Sequence, residues 1–347
     1  MYPKPLHRKF VALIAVLVAG SAVITGCSGS SDAEKTADGK TVFRYQGSAS
    51  QVTFPELADN LGYFDKVSLN WVGDTTSGPQ DIQSAATGDT EFGGAFNGAI
   101  VKLAAAQSPI QSVISYYGAD KETFNGFYVL EDSPIRTARD LIGKKVAMNT
   151  LGAHAEFIIR EWLAQQGLSK DEIAQVELTV VPPVNTEQAL RQGQIDVGTL
   201  GSVFRQTATE RGGLRELFTD ESLYGTFSYG TYVLRKDFIE QNREAVQDFV
   251  QGVARAIRWT QTVPREDVIA KFKDIIAGRG RNENPDLVDY WKSSSVAPGG
   301  VIADEEFGIW IDWLKRNEGL DDEIAPTDIY TNEFNPYANG EESLEAK

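Results

Sequence analysis

Thr87-Gly-Asp-Thr-Glu-Phe-Gly-Gly94 and Gln192-Gly-Gln-Ile-Asp-Val-Gly-Thr199 are one phrase written twice, about 105 residues apart. Each reads as a helix-ending glycine, two residues, an acid, an apolar residue, a glycine and a small residue. A glycine in the left-handed conformation closes a helix, and the short apolar run after it starts a buried strand. Working outward, the same order of elements surrounds both copies. Thr41–Tyr45 predicts a strand, Phe54–Tyr63 a helix, Val67–Val72 a strand, Pro79–Thr87 a helix and Glu91–Ala95 a strand. In the second copy Lys144–Asn149 predicts a strand, His154–Gln166 a helix, Val176–Val181 a strand, Thr186–Gln192 a helix and Ile195–Gly198 a strand. The βαβαβ order predicts an α/β chain with two mainly parallel sheets, each flanked by helices.

Ligands of open α/β sheets collect at the carboxyl ends of the strands. Here those ends read Gly47-Ser-Ala-Ser50, Thr75-Thr-Ser-Gly78, Gly94-Ala-Phe-Asn-Gly98, Tyr117-Gly118, Asn149-Thr-Leu-Gly-Ala153 and Gly198-Thr-Leu-Gly-Ser202. Most run into a helix, where free N–H groups and the helix dipole favour an anion. Turns between strands and helices favour these residue types anyway, which accounts for any one loop more readily than for six.

Composition narrows the partners. The 347 residues carry a formal net charge of −16, and removal of Lys4, Arg8 and Lys9 with a leader would make it more negative. Nucleic acid and anionic headgroups need a basic footprint, so neither is an expected partner. At this length two domains are expected. Lys4, His7, Arg8 and Lys9 precede an apolar run, Phe10–Ala19, that suits a secretory signal over residues 1–26 and is short for a membrane span. Ile24-Thr-Gly-Cys27 resembles the bacterial lipoprotein box, whose cysteine carries the lipid. Cys27 is the only cysteine, so the resemblance makes it the anchor to a bilayer on the extracytoplasmic face. Residues 28–40 have little to bury and read as a flexible tether, and 335–347 as a flexible acidic tail.

Further phrases carry a family resemblance. They are Leu61-Gly-Tyr-Phe-Asp65 before a strand, Asp132-Ser-Pro-Ile135 with Ala138-Arg-Asp-Leu-Ile-Gly-Lys-Lys-Val146, Gly152-Ala-His154 opening a helix, and the amphipathic stretch Phe238–Trp259. With the two glycine-acid phrases they resemble the substrate-binding proteins of ABC importers, in the nitrate, aliphatic sulfonate and taurine group, from about residue 41 to 270. The resemblance implies a two-lobed periplasmic-binding-protein fold of type II, with the ligand cleft between the lobes. Lobe one would comprise 41–124 and 229–334, lobe two 125–228, with crossings near Thr123–Tyr128 and Tyr224–Tyr232. It also implies a monomer that closes on a small solute and docks on a permease with its ATPase. Thiamine-pyrimidine-like or amine solutes, and a surface lipoprotein with no transported ligand, are alternatives.

The site expected at the strand ends comprises Ser48, Ser50, Thr76, Asn97, Tyr117, Gly152, His154 and Ser202 around a small anionic organic solute, with Phe96 and Tyr229 covering its apolar part. His154 would donate to the anion or be a solvated first-turn side chain. Arg205 would pair with a sulfonate or point outward. Phe96, Phe227 and Tyr229 would stack on the solute or join the core, and Glu91 and Asp196 would serve structure or meet an amine. With His154 the only histidine after residue 7, no metal cluster is expected; no Gly-x-Ser-x-Gly elbow, Walker loop or strand-linked Gly-x-Gly-x-x-Gly occurs. No enzyme activity, cofactor or metal is expected.

Overall fold

The computed structural model describes residues 33–320 and 323–343. The expected signal segment 1–26, the expected lipidation site Cys27, and residues 28–32 and 344–347 of the expected tether and tail lie outside the described residues.

The chain begins with β1 (Thr41–Gly47), α1 (Phe54–Asn60), β2 (Val67–Asp74), α2 (Gly78–Thr87), β3 (Phe92–Phe96), α3 (Asn97–Ala105) and β4 (Ile110–Ala119). It crosses through β5 (Gly126–Leu130) into β6 (Lys145–Met148), α4 (His154–Gln165), α5 (Lys170–Ile173), β7 (Glu177–Val180), α6 (Pro183–Arg191), β8 (Val197–Leu200), α7 (Ser202–Glu210), β9 (Leu214–Thr219) and α8 (Asp220–Tyr224). It returns through β10 (Phe227–Arg235) to α9 (Lys236–Gln241), α10 (Arg243–Thr262), α11 (Arg265–Gly278), α12 (Glu305–Glu318) and α13 (Pro326–Ile329).

Strand pairing gives β2-β1 and β3-β10-β4 in one lobe and β7-β6-β8-β5-β9 in the other. The Glu91 N–H donates to the Arg44 C=O at 3.0 Å, so β3 continues beside β1. Both lobes then follow one plan: second strand, first, third, crossing strand, fourth. The sheets are mixed rather than mainly parallel. β1–β2, β6–β7 and β6–β8 pair parallel, but β10 runs antiparallel to β3 and β4, and β5 to β8 and β9. Each crossing strand enters its sheet directly from the other lobe, so no helical crossover constrains it to run parallel.

The repeated phrase has a structural explanation. Gly88 and Gly193 sit at φ 84° and 68° and end α2 and α6. The acid that follows clips the first strand of its sheet: Glu91 accepts from the Arg44 N–H at 2.6 Å and Asp196 from the Lys145 N–H at 2.9 Å. At Gly93 a Cβ would fall 2.3 Å from the Asp81 carbonyl, and at Gly198 3.0 Å from Thr186, because α2 and α6 press on these strands. Glu91 and Asp196 are therefore structural.

A core of buried apolar side chains runs through both lobes, including Ile100 and Phe96 from one and Phe127, Ile158 and Val197 from the other. α12 seals it: Trp310 and Trp313 are buried, and Phe157 of α4 lies against both. The expected stretch Phe238–Trp259 is two helices, broken at Asn242. The ends correct a further expectation. Residues 33–40 are not a loose tether, because Lys35 bridges Thr41 and the Val42 N–H donates to the Glu34 C=O. Residues 335–343 are pinned: Asn335 is fully buried and donates to the Gly299 C=O, and Arg255 pairs with Glu342. Among the described residues no helix is long and apolar enough to cross a membrane.

Candidate functional site

The carboxyl ends of the two sheets meet along a polar seam. Asn149 Nδ2, just past β6, donates to the Thr76 C=O at 2.9 Å, and Ser77 Oγ lies 3.4 Å from Thr150 Oγ1. Four helices open at these ends, α2, α3 and α4 after Ser77, Phe96 and Ala153, and α7 after Gly201. None has a side-chain cap. Among the described α-helices α1, α5 and α8 carry such caps, from Thr53, Ser169 and Thr219, and the helix starts away from the seam are otherwise uncapped as well. Uncapped first turns leave N–H donors and the positive end of the dipole for another acceptor, each worth about 0.3–1 kcal/mol to an anion. At α4 one donor is already taken, since the Gly152 N–H reaches Glu156 at 2.8 Å.

Beneath the seam, aromatic rings from both lobes converge. His154 stacks on Tyr229 with centroids 4.0 Å apart, Tyr117 meets Tyr229 edge-on at 4.9 Å, and Phe96 meets His154 edge-on at 5.4 Å. Gly230 makes room for this packing: a Cβ there would fall 1.7 Å from the Tyr117 ring. The Tyr229 hydroxyl donates to Asp220 at 3.2 Å and accepts from Asn125 Nδ2 at 2.9 Å, so the start of one crossing is tied to the other. His154 Nε2 is 3.5 Å from Asp220 Oδ2. That contact is no ion pair, because burial holds the imidazole neutral, with its pKa lowered to about 3, and pushes Asp220 up to about 6. Nε2 has no hydrogen-bond partner among the described residues.

Asp81, in the first turn of α2, accepts from the Gly94 N–H at 2.7 Å, and burial raises it to about 7. The Tyr116 hydroxyl abuts the same glycine, where a Cβ would fall 2.6 Å away. A carboxyl with its pKa raised this far repels an anion less than an ordinary carboxylate.

The structure thus gathers Phe96, Tyr117, His154 and Tyr229 into one cluster and places Thr76 and Gly152 at the seam. Phe96 and Tyr229 are core residues, 1% exposed. Ser48 is half-buried in the loop after β1. Ser50 is occupied: at φ 56° its N–H donates to Glu283 at 2.6 Å and its Oγ accepts from Asn284. Asn97 is fully buried, donating to the Glu306 C=O and accepting from Thr231, which corrects the expectation that it touches a solute. Ser202 is exposed at the start of α7 with φ 47°. Arg205 does not point outward. It lies 3.7 Å from the Phe124 ring centre and donates to the Glu122 C=O, fastening α7 to the first crossing. Phe227 packs on Tyr229 and Trp310.

Sequence reasoning placed Ser77 and Asn149 in strand-end loops without singling them out, and it missed Asn125, Asp220 and Arg281. Arg281 lies over Trp71 at 4.1 Å and borders Gly47 at the end of β1, while pairing with Glu56. Nothing local marks it, since more than 200 residues of chain separate it from either neighbour.

Residues 50–267 match the family described as NMT1/THI5 like. A protein of Escherichia coli (strain K12), provisionally named aliphatic sulfonates-binding protein, is 27% identical over 207 residues, covering 60% of this chain and 62% of that one. The chain thus spans less than two thirds of that relative's length. Among solved structures, the alkanesulfonate-binding protein SsuA from Xanthomonas axonopodis pv. citri bound to MOPS has a TM-score of 0.65 at 20% identity, covering 86% of this chain and 99% of that one. The periplasmic nitrate-binding protein NrtA from Synechocystis PCC 6803 has a TM-score of 0.65 at 12% identity, covering 88% and 90%. At these identities the likeness shows the fold, a two-lobed α/β binding-protein fold.

Proposed function

The chain belongs to the NMT1/THI5-like family, and from that premise we propose that it is the solute-binding receptor of an ABC importer. It captures a small organic anion of the sulfonate, taurine or nitrate kind between its lobes and delivers it to a membrane permease and its ATPase. Lobe one is 41–124 with 229–334, and lobe two is 125–228. The protein acts as a monomer on the extracytoplasmic face, held to the bilayer through Cys27, and it catalyses no reaction.

The observation that carries this reading is the set of uncapped helix starts, α2 from one lobe and α4 and α7 from the other. An anion among them gains from each dipole only when the lobes are together, so its binding favours closure. Thr76, Ser77, Asn149, Thr150 and Ser202 offer the polar contacts. Ser48 and Gly152 border them, and Tyr117, His154, Phe96 and Tyr229 form the floor. Delivery is supported by the exposed apolar side chains of Trp71 and Val72 on one lobe and of Leu151, Val180 and Val184 on the other, surface that a docking partner would cover.

The test is thermal unfolding of residues 28–347 against alkanesulfonates, taurine, nitrate, thiamine pyrimidines and small amines. A solute at a hundred times its Kd adds about 2.7 kcal/mol. A shift with a sulfonate, taurine or nitrate is expected. A shift with an amine alone would replace the anion reading, and no shift on folded, ligand-free protein would remove this solute class.

A further inference from the structure

A cavity of about 500 Å³ lies apart from the seam, where the chain re-enters lobe one. Its walls come from Tyr224 and Phe227 on one side of the second crossing and from Val296, Pro298 and Ile309 on the other. Thr226, Ser228 and Ser295 add hydroxyls, two acids of the first turn of α12, Glu305 and Glu306, face the same space, and the lining includes no lysine, arginine or histidine. Glu306 is buried, accepting from Ser115 Oγ at 2.5 Å and from the Ala303 N–H at 3.2 Å, and it makes no ion pair among the described residues. Glu305 is exposed at the rim and makes no hydrogen bond or ion pair among the described residues. Tyr224 and Phe227 stand 5.3 Å apart at 59°, turning aromatic surface to the same space.

These features define a ligand class. The volume is in the range of small-molecule sites, the walls pair apolar surface with the hydroxyls of Thr226, Ser228 and Ser295, and the uncompensated charge, on Glu305, is negative. An anion would meet the ionised Glu305 with no cation in the lining to offset it, and a neutral apolar molecule would leave that charge and the hydroxyls of Thr226, Ser228 and Ser295 unused. An ammonium group on a short aromatic or aliphatic body suits these walls: its charge faces Glu305 and the rings, its N–H groups find acceptors in the Glu306 carboxyl and the hydroxyls, and its body fills the apolar space. We propose that this cavity is a second binding site, specific for small organic ammonium ions and separate from the interlobe site.

The test titrates phenethylammonium chloride into the full chain by calorimetry, with 3-phenylpropionate as the anion of similar size and shape. Saturable one-site binding of the ammonium and none of the carboxylate is expected. Glu305→Gln should weaken it by up to about fivefold, the span of a partly exposed ion pair. Ala303→Trp, at the exposed rim, should abolish it. Equal binding of both compounds, or none of the ammonium, overturns the site. So does ammonium binding that survives Ala303→Trp with unchanged affinity, which would place the ligand elsewhere. Glu305→Gln keeps the question decidable if the tryptophan variant does not fold.

Discussion

The imidazole of His154 lies on the ring of Tyr229, with planes 9° apart. One residue opens a helix of lobe two, and the other sits in the strand that returns to lobe one. Through the Tyr229 hydroxyl the contact extends to Asp220 and Asn125, so one side chain joins both crossings. Tyr229→Phe keeps the stack and strands the partners. It should cost about 1–3 kcal/mol in urea unfolding, and a loss below about 0.3 kcal/mol would show that these hydrogen bonds do not hold the crossings together.

Four buried groups set the pH dependence. Asp81 and Glu306 are raised to about 7 and Asp220 to about 6 by burial, so the folded protein keeps protons that the unfolded chain releases near pH 4. Their contribution is full below that pH and is lost as pH rises through 6 to 7. His154 acts oppositely. Lowered to about 3, it stabilises fully above 6.5, its ordinary value, and loses that contribution as pH falls. Three against one, stability should fall by about 4 kcal/mol from pH 5 to pH 7.5. Urea midpoints across that interval check it, and Asp81→Asn should flatten the slope. A rise over the interval would contradict the burial of the three acids.

Gly230 and Gly308 should respond oppositely to alanine. At Gly230 the new methyl collides with Tyr117, costing about 1–3 kcal/mol as the ring is displaced. At Gly308, inside α12, nothing lies within 4 Å, so alanine should add about 0.5–1 kcal/mol. Thermal melts of the two variants decide this, and a shift of the same sign in both would refute the packing described.

Arg279 pairs with Glu56 at 3.0 Å and with Glu283 at 2.6 Å, all three side chains less than a tenth exposed. Arg279→Met leaves two buried carboxylates with less compensation and should cost about 3–5 kcal/mol. Because Glu283 also holds the Ser50 N–H, hydrogen exchange at Ser50 should speed up in the same variant. Unchanged stability would mean that the network is solvated.

Ser202 already adopts the left-handed conformation that aspartate tolerates. Ser202→Asp should therefore leave the melting temperature within a few degrees while abolishing anion binding, read by calorimetry with the solute identified in the panel. Unchanged affinity would take the start of α7 out of the site.

Much of the fold was legible because its signals are local. A left-handed glycine, an acid two residues before a strand glycine and an alternating apolar run are each dictated by neighbouring backbone, so Thr87–Gly94 and Gln192–Thr199 announced two α/β units. Even the direct evidence of strand order, Glu91 and Asp196 clipping the first strand, was present as the acid in each phrase. What the sequence by itself determined, then, is the repeated α/β architecture, the strand-end loops and a charge unfit for nucleic acid. Only the tertiary structure decided which residues of those loops are free. Asn97 and Ser50 look like cleft residues and are taken up by Glu306, Thr231 and Glu283, partners more than 130 residues away. Likewise Asn125, Asp220 and Tyr229 form one network, and Arg281 borders Gly47, through contacts that no periodicity encodes. Hydrogen bonding and burial are settled by distance in space, and a crossing chain brings together groups whose separation along the sequence says nothing of that distance.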